Sequence, residues 1–130
     1  MTDASHSQSV RTPAINLLSL LVITLTIVTA GIHFYLIPAE FDKGATGYGT
    51  LFILTAVGYL IALAVAYAPI ASFDSLRLVG KLALLAISLA AIVAYVVLGF
   101  YDTLGWVDKG IESALVLAVI GDIAGSRTGS

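Results

Sequence analysis

The chain has 130 residues, of which 59% are hydrophobic and 11% charged, with a formal net charge of −2 and a mean hydropathy of +1.04. Soluble domains carry roughly 25% charged residues, so this composition reads as that of an integral membrane protein. A slightly negative chain without a run of Lys or Arg has no basic field for nucleic acid, and the absence of Cys excludes disulfides, thiolate metal sites and cysteine nucleophiles.

A bilayer core about 30 Å thick takes about 20 apolar residues in a helix, and four segments approach that length. A polar tail over residues 1–13, "MTDASHSQSVRTP", precedes them and is expected to be mobile and cytoplasmic. The first span is predicted over 14–37, closed by Pro38, because proline cannot donate to the helix ladder. Residues 17–30, ending "IVTA", also read as the apolar region of a secretory signal cut after Ala30. The apolar stretch continues past that point, as a spanning helix should. The second span is predicted over 47–68, closed by Pro69, and the third over 78–100. The fourth, over 104–124, is interrupted by Asp108, Lys109, Glu112 and Asp122, and residues 125–130 are expected to form a second mobile tail. The predicted fold is an all-α polytopic membrane protein, four transmembrane helices in an antiparallel bundle. Arg11, Arg77, Lys81 and Arg127 fall on one side of four such spans and Lys43 and Lys109 on the other. The excess of basic residues predicts a cell-membrane protein with both termini cytoplasmic.

The stretch "FYLIPAEFDKG" at 34–44 is echoed by "FYDTLGWVDKG" at 100–110, an offset of 66 residues, and Arg11 and Arg77 show the same offset. Two tandem helical hairpins of like orientation would produce this pattern. So would the preference of Tyr for the headgroup level and of Asp and Gly for turns. Both alternatives place the two stretches at the outer membrane boundary.

Each predicted helix carries a polar seam at spacings of three, four or seven: Ser19, Val22, Thr26, Thr29 and His33 on the first; Tyr48, Phe52, Thr55 and Tyr59 on the second; Lys81, Ser88, Tyr95 and Asp102 on the third; Asp108, Glu112, Leu115, Val119 and Asp122 on the fourth. Lipid cannot satisfy such groups, so the seams are expected to converge. Gly31, Gly58, Gly80, Gly99 and "ALLAISLAAIVAY" offer small residues for close helix packing. Toward the cytoplasm lie Asn16, Lys81 and Asp122, and a Lys81–Asp122 ion pair there is expected to be structural. Toward the outside lie His33, Tyr48, Tyr95, Asp108, Lys109 and Glu112. Within this outer set Glu112 has Lys109 and His33 as candidate partners, and the cluster reads either as a register-fixing clamp or as a proton relay. His33, Asp108 and Glu112 could offer one nitrogen and two oxygen ligands. No paired-His spacing supports a metal site, and bis-His haem fails because His6 lies in the tail. "KGATGYG" follows no strand and is not a phosphate cradle. No GxSxG or HExxH signature is present, so neither catalysis nor a cofactor is expected.

The segments "GIHFYL", "LFILTAVGYL" and "DTLGWVDKGIESALV" resemble a group of small uncharacterised four-span membrane proteins of halophilic archaea. The resemblance covers most of residues 14–123 and implies a fold and a host type, without an activity or a cofactor. It also implies a salt-rich milieu that screens the outer acidic residues. The expected function is a noncatalytic membrane module or accessory subunit, with the lipid bilayer and a second copy or larger membrane complex as partners. The alternative is a small transporter or proton pathway using His33 and Glu112. An enzyme using the outer carboxylates would need a cofactor or activating partner.

Overall fold

In a computed structural model of the protein, residues 16–99 and 101–128 are described. They form four long helices, α1 (Leu17–Asp42), α2 (Thr46–Tyr67), α3 (Arg77–Leu98) and α4 (Thr103–Thr128), with a 3₁₀ turn over Ala71–Leu76 before α3. No strand occurs among the described residues. The N-terminal tail with His6 and Arg11, the start of the first expected span at Ala14, Phe100 and the last two residues lie outside this range.

Short connections make successive helices antiparallel, and α4 packs back on α1 to close a ring in which each helix touches two neighbours. The first residues of α1 and the last of α4 therefore share one end, called the terminal end below. The turns joining α1 to α2 and α3 to α4 lie at the far end.

Three stretches, Leu17–Asp42, Thr46–Tyr67 and Ala71–Leu98, are long and apolar enough to cross a membrane; α4, with its Asp, Glu and Lys residues, is not among them. The polarity of the molecule is inverted relative to a soluble bundle. Ser19, Thr26, Thr29, His33, Ser88, Asp108, Glu112 and Asp122 are buried, whereas Leu17, Ile61, Val97 and Leu117 are exposed. Water would penalise that surface by the transfer cost of its apolar area; acyl chains would not. Hydroxyls on the outer faces satisfy themselves, with Thr24 donating to the Leu20 carbonyl (2.9 Å) and Thr50 to that of Thr46 (2.8 Å).

Helix ends follow local chemistry and correct several expected boundaries. The side chain of Asn16 accepts from Ser19 N–H at 2.9 Å, so α1 is capped there. Pro38 does not close α1. The helix runs on through it to Asp42, because only one ladder bond is lost near a helix end. Gly44 (φ 74°) then turns the chain. The third helix ends at Leu98 instead of reaching Phe100, because Gly99 adopts φ 74° and its N–H bonds the Tyr95 carbonyl at 3.0 Å. Asp102 leaves the seam of α3 to cap α4, accepting from Gly105 N–H at 3.1 Å. Residues 125–128, expected in the tail, are the last turn of α4.

The "FY…DKG" echo does not mark equivalent places. Asp42, Lys43 and Gly44 form the end of α1 and its turn, while Asp108, Lys109 and Gly110 lie inside α4. Helices also repeat at a different interval from the motif: α3 begins 60 residues after α1 (77 against 17) and α4 57 after α2 (103 against 46). Gly49 and Gly105 approach side chains closely, but Gly80 is the glycine pressed against another helix's backbone. A Cβ there would lie 2.6 Å from Ala66 N and 2.9 Å from Ala62 O, whereas Gly31 faces open space. Gly31 and Gly99 therefore do not serve the close packing expected of them.

Candidate functional site: a buried polar cluster under a far-end vestibule

At the far end the four helices part around a cavity of about 720 Å³ reaching from Glu40, Lys43 and Asp102 down to His33, Asp108 and Lys109. Alanines 90, 91 and 94 of α3 form much of its wall, and small side chains there leave space that larger ones would fill.

Spacing explains the floor. Asp108, Glu112 and Leu115 recur at four and three along α4, and Thr29 and His33 are one turn apart on α1, so both sets face the bundle axis. Thr29 Oγ1 donates to Asp108 Oδ1 at 2.7 Å. His33 Nδ1 lies 2.9 Å from the Thr29 carbonyl oxygen, an acceptor, which assigns the hydrogen to Nδ1. His33 Nε2 then faces Glu112 Oε1 at 3.8 Å, beyond hydrogen-bond reach. Lys109 bridges the carboxylates, bonding Asp108 Oδ2 at 3.1 Å and Glu112 Oε2. Its ammonium also sits 5.6 Å from the centroid of the Tyr95 ring. Tyr59 lies 3.0 Å from Glu112 Oε1 and 3.1 Å from Ser88 Oγ. With one hydrogen to give, it donates to the carboxylate and accepts from Ser88. Phe52 meets the His33 ring edge-on at 5.5 Å.

His33, Asp108 and Glu112 each offer a ligating atom within 4.8 Å of the other two, all buried. These are the three residues that the sequence singles out as conceivable ligands. The Lys109 ammonium, bound to both carboxylates, already supplies the positive charge that a metal ion would bring.

A second cluster closes the terminal end. Asp122 Oδ2 accepts from Tyr67 at 2.6 Å and meets Lys81 Nζ at 2.8 Å, while its Oδ1 lies 3.2 Å from Ser19 Oγ. One carboxylate thus ties all four helices. Asn16 stays exposed at the edge as the cap of α1. Between the clusters lies an apolar block in which Val22, Leu84, Leu115 and Val119 are 0% exposed. Glu112 and Asp122 are ten residues apart, about 15 Å along the helix. The one hydroxyl buried in this interval on α1, Thr26, is turned back to the Val22 carbonyl at 2.7 Å.

Of the residues expected in the outer cluster, the fold brings His33, Asp108, Lys109 and Glu112 into one network. Tyr95 touches it through its ring while its hydroxyl bonds the Asp102 carbonyl at 3.3 Å. Tyr48 is half-buried on the cavity wall. Five partners were not in the expected set. Ser19, Thr29, Tyr59 and Ser88 sit on the polar seams, where their spacing was a usable signal. Tyr67 follows Tyr59 by eight residues, a helical same-face interval that the adjoining Pro69 obscures. Replacing Tyr59 with Phe removes the donor to buried Glu112 and is expected to destabilise the bundle by about 1–3 kcal/mol. Unfolding of the purified protein in mixed micelles measures it, and a Tyr59→Phe variant as stable as the parent would show that the Glu112 bond is idle.

No protein-family model matches the chain, and neither curated proteins nor solved structures include a match.

Proposed function

We propose that the chain is a noncatalytic four-span membrane module, with both termini cytoplasmic and a vestibule opening on the opposite side. The observation that carries this reading is the apolar block between the two polar clusters. Ten residues of α4, about 15 Å along the helix, separate Glu112 from Asp122, and the interval is filled by Val22, Leu84, Leu115 and Val119 with the Thr26 hydroxyl turned back on its own helix, so the vestibule is blind. Counting α4 as a span rests on its facing: Asp108, Glu112 and Asp122 are buried, and Trp106, Leu117 and Ile120 are exposed. Orientation rests on Arg77, Lys81 and Arg127 at the terminal end against an acidic far end. Tyr101 and Trp106, stacked at 5.7 Å and exposed, suit the headgroup level there. Partner helices or a second copy would pack on the apolar outer faces, which makes an accessory-subunit role the natural one. The likeness to small four-span proteins of halophilic archaea fits this fold and adds no activity to it.

The second reading, a proton pathway, draws on the 3.8 Å approach of His33 Nε2 to Glu112 Oε1 at the foot of the cavity. Proteoliposome flux separates the two. The expected result is proton flux equal to that of empty vesicles for the parent chain, Glu112→Gln and His33→Ala. Parent flux that collapses in both folded variants would replace the module with a pathway.

A further inference from the structure

The vestibule is a built recess with a charge balance, aromatic rings and a free acceptor at its base, and together these specify a ligand. Among its charged lining residues Glu40, Asp102 and Asp108 oppose Lys43 and Lys109. Lys43 is spent on Glu40 at 3.2 Å. Three carboxylates against two ammonium groups leave the lining negative by about one charge when His33 is neutral. Its volume of about 720 Å³ lies within the range of small-molecule sites, roughly 300–1,000 Å³.

The floor already displays what it recognises. Lys109 presents a tethered primary ammonium, and that ammonium is held by two carboxylates and the face of Tyr95. Such a combination of carboxylate and aromatic face is selective for organic cations. A second, separate observation concerns His33, which is only 3% exposed and lines the cavity. Its Nδ1–H is committed to the Thr29 carbonyl, and Nε2 has no hydrogen bond among the described residues; its nearest ionic contact is 3.8 Å away. No buried side-chain nitrogen or oxygen among the described residues lacks a hydrogen-bond partner, so the unbonded Nε2 is reached from the cavity, where it is an acceptor for an N–H donor. Leu51, Leu54 and Leu98, exposed at the outer surface, and the α3 alanines give the recess an apolar rim that matches a hydrocarbon body.

We propose that the vestibule binds a small amphipathic ammonium, a protonated primary amine on an apolar or aromatic body. Its N–H groups point to His33 Nε2 and Asp108, and its body lies along the α2 and α3 wall. This inference rests on the module reading above, because a blind, outward recess retains a ligand instead of passing it on.

The test uses the full chain in lipid nanodiscs, with 2-phenylethylammonium as the probe and empty nanodiscs as the blank. Titration calorimetry is expected to show saturable one-to-one binding. Three compounds of like shape are each expected to bind at least tenfold more weakly: 2-phenylethanol without the charge, 3-phenylpropanoate with the opposite charge, and the trimethylated amine without N–H donors. Asp108→Asn is expected to weaken the amine at least tenfold. Because Asp108 also holds Thr29, Ala94→Phe provides an independent arm, filling the wall without touching the polar network and abolishing binding in a folded protein. Absence of saturable binding to the parent would overturn the proposal. So would 3-phenylpropanoate binding as tightly as the amine, or a folded Ala94→Phe chain binding like the parent. Flux-silent vesicles with no amine binding sink this inference alone, whereas proton flux sinks the module reading whatever the amine does.

Discussion

Asp122→Ala is expected to destabilise the protein by about 3–5 kcal/mol, as removal of one member of a buried ion pair does elsewhere. The carboxylate is 3% exposed and receives groups from all three other helices: Ser19 of α1, Tyr67 of α2 and Lys81 of α3. Its loss leaves the Lys81 ammonium with Ser126 Oγ at 3.4 Å and the Tyr67 ring and takes the acceptor from the Tyr67 hydroxyl, while Ser19 keeps Asn16 Oδ1 at 3.1 Å. Asp122→Asn keeps an acceptor for Tyr67 and should fall between the parent and the alanine variant. The double replacement Lys81→Met with Asp122→Leu leaves no unpaired charge and is expected to recover most of the loss. Unfolding free energies in mixed micelles for the four chains form a cycle. Equal stability of Asp122→Ala and the parent, or a double variant as weak as the single one, would contradict the clamp.

Gly80→Leu comes next in size. A Cβ at this position would lie 2.6 Å from the Ala66 nitrogen and 2.9 Å from the Ala62 oxygen, and both are backbone atoms that cannot rotate aside. Helices α2 and α3 would have to separate, opening the contact that carries Leu84, Ala62 and Ala66 in the core. The expected loss is about 3 kcal/mol or more, at the upper end of overpacking. Gly80→Ala should already show much of it, since the first carbon makes the clash. Gly31→Ala meets nothing within 4 Å and is expected to stay within about 1 kcal/mol of the parent. Thermal denaturation in one detergent compares the three, and a Gly80→Ala chain no weaker than Gly31→Ala would mean that the helices are not in close contact there.

Much of the architecture was legible because apolar length and polar spacing are local properties. Ser19, Thr26, Thr29 and His33 share a face at any packing, and a polar face in an apolar helix has to turn inward. Helix ends were less legible where two local effects competed. Pro38 is a terminator in isolation, yet near the end of a helix it removes a single bond, and the ladder continues to Asp42. Asp102 fits the seven-residue rhythm of α3 and also makes a good cap; Gly99 ends α3 before it, and the capping role wins. The echoed triplets take the structure of their neighbours, one the end of α1 and its turn and the other a turn inside α4.

Composition and periodicity were sufficient to establish four helices with inward polar seams and an apolar surface, because hydropathy, rise per residue and facing angle belong to each helix separately. Which groups meet across the seams was decided by packing. Thr29 reaches Asp108, Tyr59 reaches Glu112, and Tyr67 reaches Asp122 because ring closure between α1 and α4 and the Gly80 contact between α2 and α3 set the vertical registers. The blind vestibule arises the same way. Small side chains on α3 become a recess only where the other three helices stand back from them, a distance that no single helix encodes.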